Sequence, residues 1–195
     1  MPKELKWSLL KRPGGVVQAT VTSVEKPPDK LLKNAYEYES RFRKELAAVY
    51  PFTRLDLIID SNGGAVSSAC GISAAVLAAK RPVRVLIDGE CGSAATLVAY
   101  GTGGKVYITP RSHIMIHMPK VVVCKRSGGI WSFFDKIGKT STINYMLCLY
   151  RHKTRRPKAE LRKMLRESRR FSSTEAVMMN FADAITTLET FRKGE

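Results

Sequence analysis

Apolar positions change period several times along the chain, and each change marks a predicted element. Leu55-Asp56-Leu57-Ile58-Ile59-Asp60 and Val83-Arg84-Val85-Leu86-Ile87-Asp88 are short, mostly apolar runs, the pattern of parallel strands buried on both faces. Each leads into a glycine-containing turn, Ser61-Asn62-Gly63-Gly64 or Gly89-Glu90-Cys91-Gly92, and then into a stretch of small residues, Ala65–Lys80 or Ser93–Tyr100. Small side chains let a helix lie close on a sheet, so both units read as strand, turn, helix. Upstream, Val16–Thr22 has the β-branched content of a strand. From Asp29 to Tyr50, Leu32, Tyr36, Phe42, Leu46 and Val49 recur at helical spacing between charges, and Pro51 closes that helix. Downstream, Lys105–Thr109 and Ile114–His117 predict two more strands around a Pro110-Arg111-Ser112 turn, after which Trp131–Tyr150, Pro157–Arg166 and Ser172–Asn180 read as helices. Ser172 with Glu175 three residues on forms a capping box, hydroxyl and carboxylate each satisfying an otherwise unpaired backbone N–H. Repeated strand-to-helix units define the class as α/β. The first fifteen residues, ending in Pro13-Gly14-Gly15, read as a flexible arm.

Length and composition add limits to this pattern. A chain of 195 residues suits one domain, here 1–195. No apolar run reaches the roughly 18 to 20 residues that span a bilayer, and charges interrupt the N-terminal apolar residues where a secretory signal would be continuous. The expected compartment is the cytoplasm, with no membrane partner. Cys70, Cys91, Cys124 and Cys148 form no CxxC pair and read as buried thiols, so no metal site and no cofactor are expected. Of the net charge of +16, half lies between Arg151 and Arg170, where ten Lys and Arg face only Glu160 and Glu167. That block is either a solvated helical face or a surface for nucleic acid or an acidic partner.

Candidate chemistry sits at the glycine turns. A strand that ends in such a turn before a helix presents free N–H groups at the positive end of a helix dipole, where an anion is stabilised. Ser61–Gly64 is equally a tight structural turn, and neither phosphate-loop pattern is present. Ser93 stands where a hydroxyl would cap a helix. His113 and His117 share one face of a strand by its period of two. Each feature alone has a structural explanation.

Their order and spacing together resemble the ClpP peptidase family. The matching segments are Ser61-Asn62-Gly63-Gly64, Gly89-Glu90-Cys91-Gly92-Ser93-Ala94-Ala95 and Met115-Ile116-His117-Met118-Pro119, followed by Ser172-Ser173-Thr174-Glu175-Ala176 and Phe181-Ala182-Asp183-Ala184-Ile185. The resemblance implies a crotonase-like fold of repeated strand–turn–helix units with a projecting handle helix at about residues 131–152. It further implies a serine-type endopeptidase acting through an acyl-enzyme. Ser93 would be the nucleophile and His117 the general base, with the backbone N–H groups of Gly64 and Ala94 as the oxyanion hole. His113 matches no catalytic position. The implied partners are peptides or unfolded proteins, further copies of the chain, and an AAA+ unfoldase.

The chain departs from the pattern at the third catalytic position. Counted back from the Ser172 cap, the family's acid falls on Ser168, with Glu167 the adjacent carboxylate. The segment after the histidine, Lys120–Arg126, is apolar and basic where the family tends to be Gly-rich, and the N-terminal 50 residues match poorly. A catalytically impaired subunit or scaffold is therefore the alternative to an active peptidase. An acyl-CoA enzyme of the shared crotonase fold is a further one, opposed by the pairing of Ser93 with His117.

Overall fold

The computed structural model describes residues 3–25, 35–119 and 129–194, with side chains described at all of these except 3, 24, 25 and 129–139. The start of the helix expected from Asp29, Cys124, the Lys120–Arg126 segment and the side chains of Trp131, Phe133 and Phe134 lie outside the described residues.

The centre is a parallel sheet made by the two apolar runs, β3 (Arg54–Ser61) and β4 (Val83–Gly92), flanked by β2 (Val16–Glu25) on one side and β5 (Lys105–Ile108) on the other. Leu55, Leu57 and Ile59 turn to one face and join the main core. Ile58 and Leu86 turn to the other, where Phe191 of α7 (Leu188–Lys193) covers them. A run apolar at successive positions is thus buried on both faces, as parallel strands require. The short β8 (Ala184–Ile185) extends the sheet beside β5. No helix among the described residues is long and apolar enough to cross a membrane.

Residues 3–12, expected as a flexible arm, instead form β1 (Lys3–Arg12), antiparallel to β2 from Lys3↔Glu25 to Arg12↔Val16. The physical reason is an alternation: Leu5 and Trp7 are buried while Lys6 and Ser8 are exposed, the period of a half-buried strand. The indole of Trp7 packs edge-on to Phe42 at 5.1 Å, and its Nε1 donates to Glu45 Oε2 at 2.6 Å. Pro13-Gly14-Gly15 is the connecting turn, with φ of 72° at Gly14 and 71° at Gly15.

What positions the site is a change of neighbours along β4. Its first half pairs with β5 through Arg84–Ile87, and its last residues pair with β6 (His113–Met115) through Glu90–Gly92. The switch falls at Gly89, at φ 126°, where an added Cβ would meet Asp60 Oδ1 at 2.3 Å. Asp60 accepts from the N–H of Glu90 at 3.0 Å and Ser112 Oγ from that of Gly89 at 2.7 Å, so both amides freed by the bend are bonded. The segment 89–92, expected as a turn, is therefore the continuation of the strand. β7 (Arg170–Ser172) lies antiparallel beyond β6.

Small residues pack the helices. α2 (Val66–Ala78) lies against α1 (Ala35–Ala48), and Gly71 is the point of closest approach: a Cβ there would meet the carbonyl oxygen of Ala35 at 2.3 Å and Tyr38 Cβ at 2.5 Å. α3 (Ala95–Gly101) follows β4, α4 (Gly129–Thr154) and α5 (Lys158–Arg166) come next, and α6 (Ser173–Met178) begins at the expected capping box, with Ser172 N–H donating to Glu175 Oε2 at 2.9 Å and Glu175 N–H to Ser172 Oγ at 3.3 Å. Of the thiols expected to be buried, Cys91 is buried and Cys70 is intermediate, whereas Cys148 is exposed on the outward side of α4. Because the atoms facing Gly71 are backbone atoms of α1 and the Cβ of Tyr38, none of which can rotate away, Gly71→Ala should destabilise the fold by about 1–3 kcal/mol, seen as a lower midpoint in urea denaturation; an unchanged midpoint would mean that α1 shifts freely.

Candidate active site

Ser93 follows β4 directly. It holds a left-handed conformation, φ 52°, that a non-glycine residue adopts rarely, and three hydrogen bonds over-determine it. Its N–H donates to the carbonyl of Met115 at 2.9 Å, and its own carbonyl accepts from Thr96 N–H at 3.1 Å and Thr96 Oγ1 at 2.6 Å. Thr96 Oγ1 lies 2.7 Å from the buried hydroxyl of Tyr150 on α4, whose phenol is pushed up by burial and so stays protonated. The expected alternative role for Ser93, capping a helix, is not what its side chain does: α3 has Ala94 as N-cap and no side-chain cap bond. Ser93 Oγ is half-buried with no hydrogen-bond partner among the described residues.

On one side of Ser93 stands the Ser61–Gly64 turn. Gly63, at φ 97°, is so close that an added Cβ would meet the Gly92 carbonyl oxygen at 2.6 Å and Ser93 Cβ at 2.7 Å. Ser23 fixes this turn from β2: its Oγ donates to the Gly63 carbonyl at 2.7 Å and lies 2.5 Å from Ser61 Oγ, which in turn accepts the Gly63 N–H at 3.1 Å. With Gly63 so occupied, the N–H groups of Gly64 and Ala94 remain without an acceptor among the described residues.

On the other side stands His117. The register of β4 with β6 pairs Gly92 with Met115, and beyond it the 116–118 segment runs on beside the chain leaving α5. Ile116 N–H donates to the Arg169 carbonyl at 3.0 Å and Met118 N–H to the Leu165 carbonyl at 2.9 Å, so the 165–169 turn brackets the histidine. His117 Nδ1 lies 2.7 Å from the Met118 carbonyl oxygen. A carbonyl only accepts, so Nδ1 carries a proton, and in the neutral ring Nε2 is then the nitrogen with the lone pair. Four chain ends therefore lie in the order Gly63 turn, Ser93, His117, 165–169 turn.

The candidates for a third member are not hydrogen-bonded to the imidazole. Ser168 occupies the bracketing turn at φ 52°, with its N–H donating to Leu165 at 3.3 Å and its side chain exposed. Glu167 is turned to Lys163, 3.9 Å away. His113 pairs with Glu90 at 3.7 Å, and Glu90 also binds Arg170. Asp183 accepts from Val106 N–H at 2.7 Å and from Lys153 at 2.5 Å, a structural role. Sequence reasoning missed Ser23, Thr96, Tyr150 and Met118; only Thr96, a polar residue inside a predicted apolar helix, offered any signal, and Ser23 lies one residue beyond the predicted strand Val16–Thr22. No group of three or more metal-ligating side chains occurs among the described residues.

The chain resembles known proteins in sequence and in fold. A curated relative, the "ATP-dependent Clp protease proteolytic subunit" of Chlamydomonas reinhardtii, is 30% identical over 134 residues, 68% of this chain, while the chain spans only 25% of that relative's length. A ClpP1 mutant from Listeria monocytogenes has the same fold, with a TM-score of 0.67 at 18% identity, covering 80% of this chain and 88% of the solved one. The Clp protease family model matches residues 44–189, from α1 through the Ser61–Gly64 turn, Ser93 and His117 to α7, and the chain belongs to that family.

Proposed function

We propose that the chain is a serine-type endopeptidase that cleaves peptide bonds through an acyl-enzyme on Ser93. The observation that carries this reading is the strained placement of Ser93 between the Gly63 turn and His117. Ser93 Oγ attacks the substrate carbonyl carbon while His117 Nε2 takes its proton. The negative charge that develops on the carbonyl oxygen is held by the N–H groups of Gly64 and Ala94, both without another acceptor among the described residues. Collapse breaks the C–N bond as the imidazolium protonates the departing amine, and water then hydrolyses the ester by the same route. Peptides or unfolded polypeptides are the substrates, α4 is the handle through which copies associate, and an AAA+ unfoldase delivers the substrate; the curated relative is named as the proteolytic subunit of an ATP-dependent protease.

In this mechanism the Met118 carbonyl takes over half of the usual acid's task. It orients the ring and fixes the tautomer, but it brings no full negative charge to stabilise the imidazolium, a task that the buried carboxylate performs in the standard serine-protease template. This absence favours a second reading, a slow or silent subunit that serves assembly with an active paralogue. A fluorophosphonate probe separates the two: the peptidase reading expects labelling that Ser93→Ala abolishes, and absence of Ser93-dependent labelling sinks it. Ser168→Asp should place a carboxylate in the turn that brackets His117 and raise the rate of acyl-enzyme formation by about 10- to 1000-fold, followed by stopped-flow release of a fluorogenic peptide; no gain would show that this turn does not face the ring. Gly63→Ala drives a Cβ into the Ser93 turn and should lower kcat by about 10²-fold or more, with circular dichroism confirming that the fold is retained.

A further inference from the structure

Around the end of α4 and along α5 the charges of the basic segment are sorted. Every carboxylate there is engaged: Glu160 by Arg156 at 2.5 Å, Glu167 by Lys163 at 3.9 Å, and the nearby Asp183 by Lys153 at 2.5 Å. Arg151, Arg155, Lys158, Arg162 and Arg166 are exposed and have no ion-pair partner among the described residues. Their spacing puts them in a row. Arg151 lies in the last turn of α4 and Arg155 just beyond its end, and Lys158, Arg162 and Arg166 recur every fourth residue along one flank of α5, beside the stripe that buries Leu161, Met164 and Leu165. Each such step rises about 6 Å along a helix. The head of the row opens into a cleft of about 440 Å³ lined by Arg151, His152, Arg155 and Lys158 together with Cys148.

We infer that this row binds the phosphodiester backbone of nucleic acid without regard to sequence. A solvated face would mix its signs, whereas here like charges stand side by side and repel each other unless an anion lies between them. The anion must be extended and repetitive to meet them all. The stretch from Arg151 to Arg170 that carries the row exposes no Phe, Tyr, Trp or large apolar side chain that would anchor an acidic protein or stack on bases, which leaves contact with repeating phosphates and release of their counterions as the source of affinity. The surface lies on α4 and α5 rather than at Ser93, so it stands apart from the peptidase reading.

The experiment is fluorescence anisotropy of the full chain with fluorescein-labelled mixed-sequence oligonucleotides, single- and double-stranded, across a salt series. Binding is expected at low ionic strength, with log affinity falling against log salt at a slope of roughly −4 for duplex if about five phosphates are contacted. The triple variant Arg155→Gln/Lys158→Gln/Arg162→Gln should lose at least about tenfold in affinity and flatten that slope by 2–3, about one per phosphate contact removed. A control with the same change in net charge, Lys6→Gln/Lys11→Gln/Arg192→Gln, removes exposed cations elsewhere and should change little. Equal losses in both variants, no binding at low salt, or tighter binding of polyglutamate than of the oligonucleotides would each overturn the inference, the last in favour of an acidic protein partner. Fluorophosphonate labelling at Ser93 is expected to be the same in both variants, so a failure here and a failure of the peptidase reading are separate results.

Discussion

The site depends on β4 leaving one neighbour for another. A parallel strand normally ends where its partner ends, yet β4 runs on past β5 and finds β6 for its last three pairs. That requires a backbone bend with no side chain in the way and with its freed amides bonded, and Gly89, Asp60 and Ser112 supply those conditions. The consequence is geometric. β4 stays beside β3 through Ile87, and after a register shift Cys91 again pairs with Ser61, so its end meets the Ser61–Gly64 turn on one edge and the Met115–His117 segment on the other. The candidate nucleophile, oxyanion donors and base come from three separate stretches of sequence, and this one bend brings the stretches together.

Much of this was legible because it rests on runs of apolar residues and on glycine. β3 and β4 are apolar at successive positions since both sheet faces are covered, and Gly63 and Gly89 are glycine because a Cβ would strike backbone or a carboxylate. The N-terminal hairpin reads as an arm because exposed Leu10 and buried Glu4 break the alternation of Leu5, Trp7 and Leu9, while Pro13-Gly14-Gly15 suggests a tether when it is a turn. β7 and β8, at 3 and 2 residues, are too short to show any period. Contacts made by the main chain leave no mark in a sequence at all. The Met118 carbonyl on His117 is one such contact, and the hydroxyl pair of Thr96 and Tyr150, 54 positions apart, joins two residues that nothing local would connect.

An acid in a serine-hydrolase triad performs two tasks, and this structure pulls them apart. Orientation needs only an acceptor at the right place, which the Met118 carbonyl provides at 2.7 Å. Neutralisation needs a negative charge near the imidazolium, and no carboxylate among the described residues is bonded to the ring. Nearby cations would worsen that deficit if they were free. Two of them are not, since Arg169 is bound by Glu175 and Arg170 by Glu90 on the strand that leads to Ser93, while Arg166 in the same turn has no ion-pair partner among the described residues. Scarce carboxylates are thus spent beside the candidate site, and the same scarcity leaves the outer flank of α5 with a row of cations that no residue of the described chain answers. The high net charge is therefore not a uniform coat. It is the remainder after the interior turns have been paired, and its concentration on one helix flank makes it a surface with a direction and a spacing instead of a diffuse field.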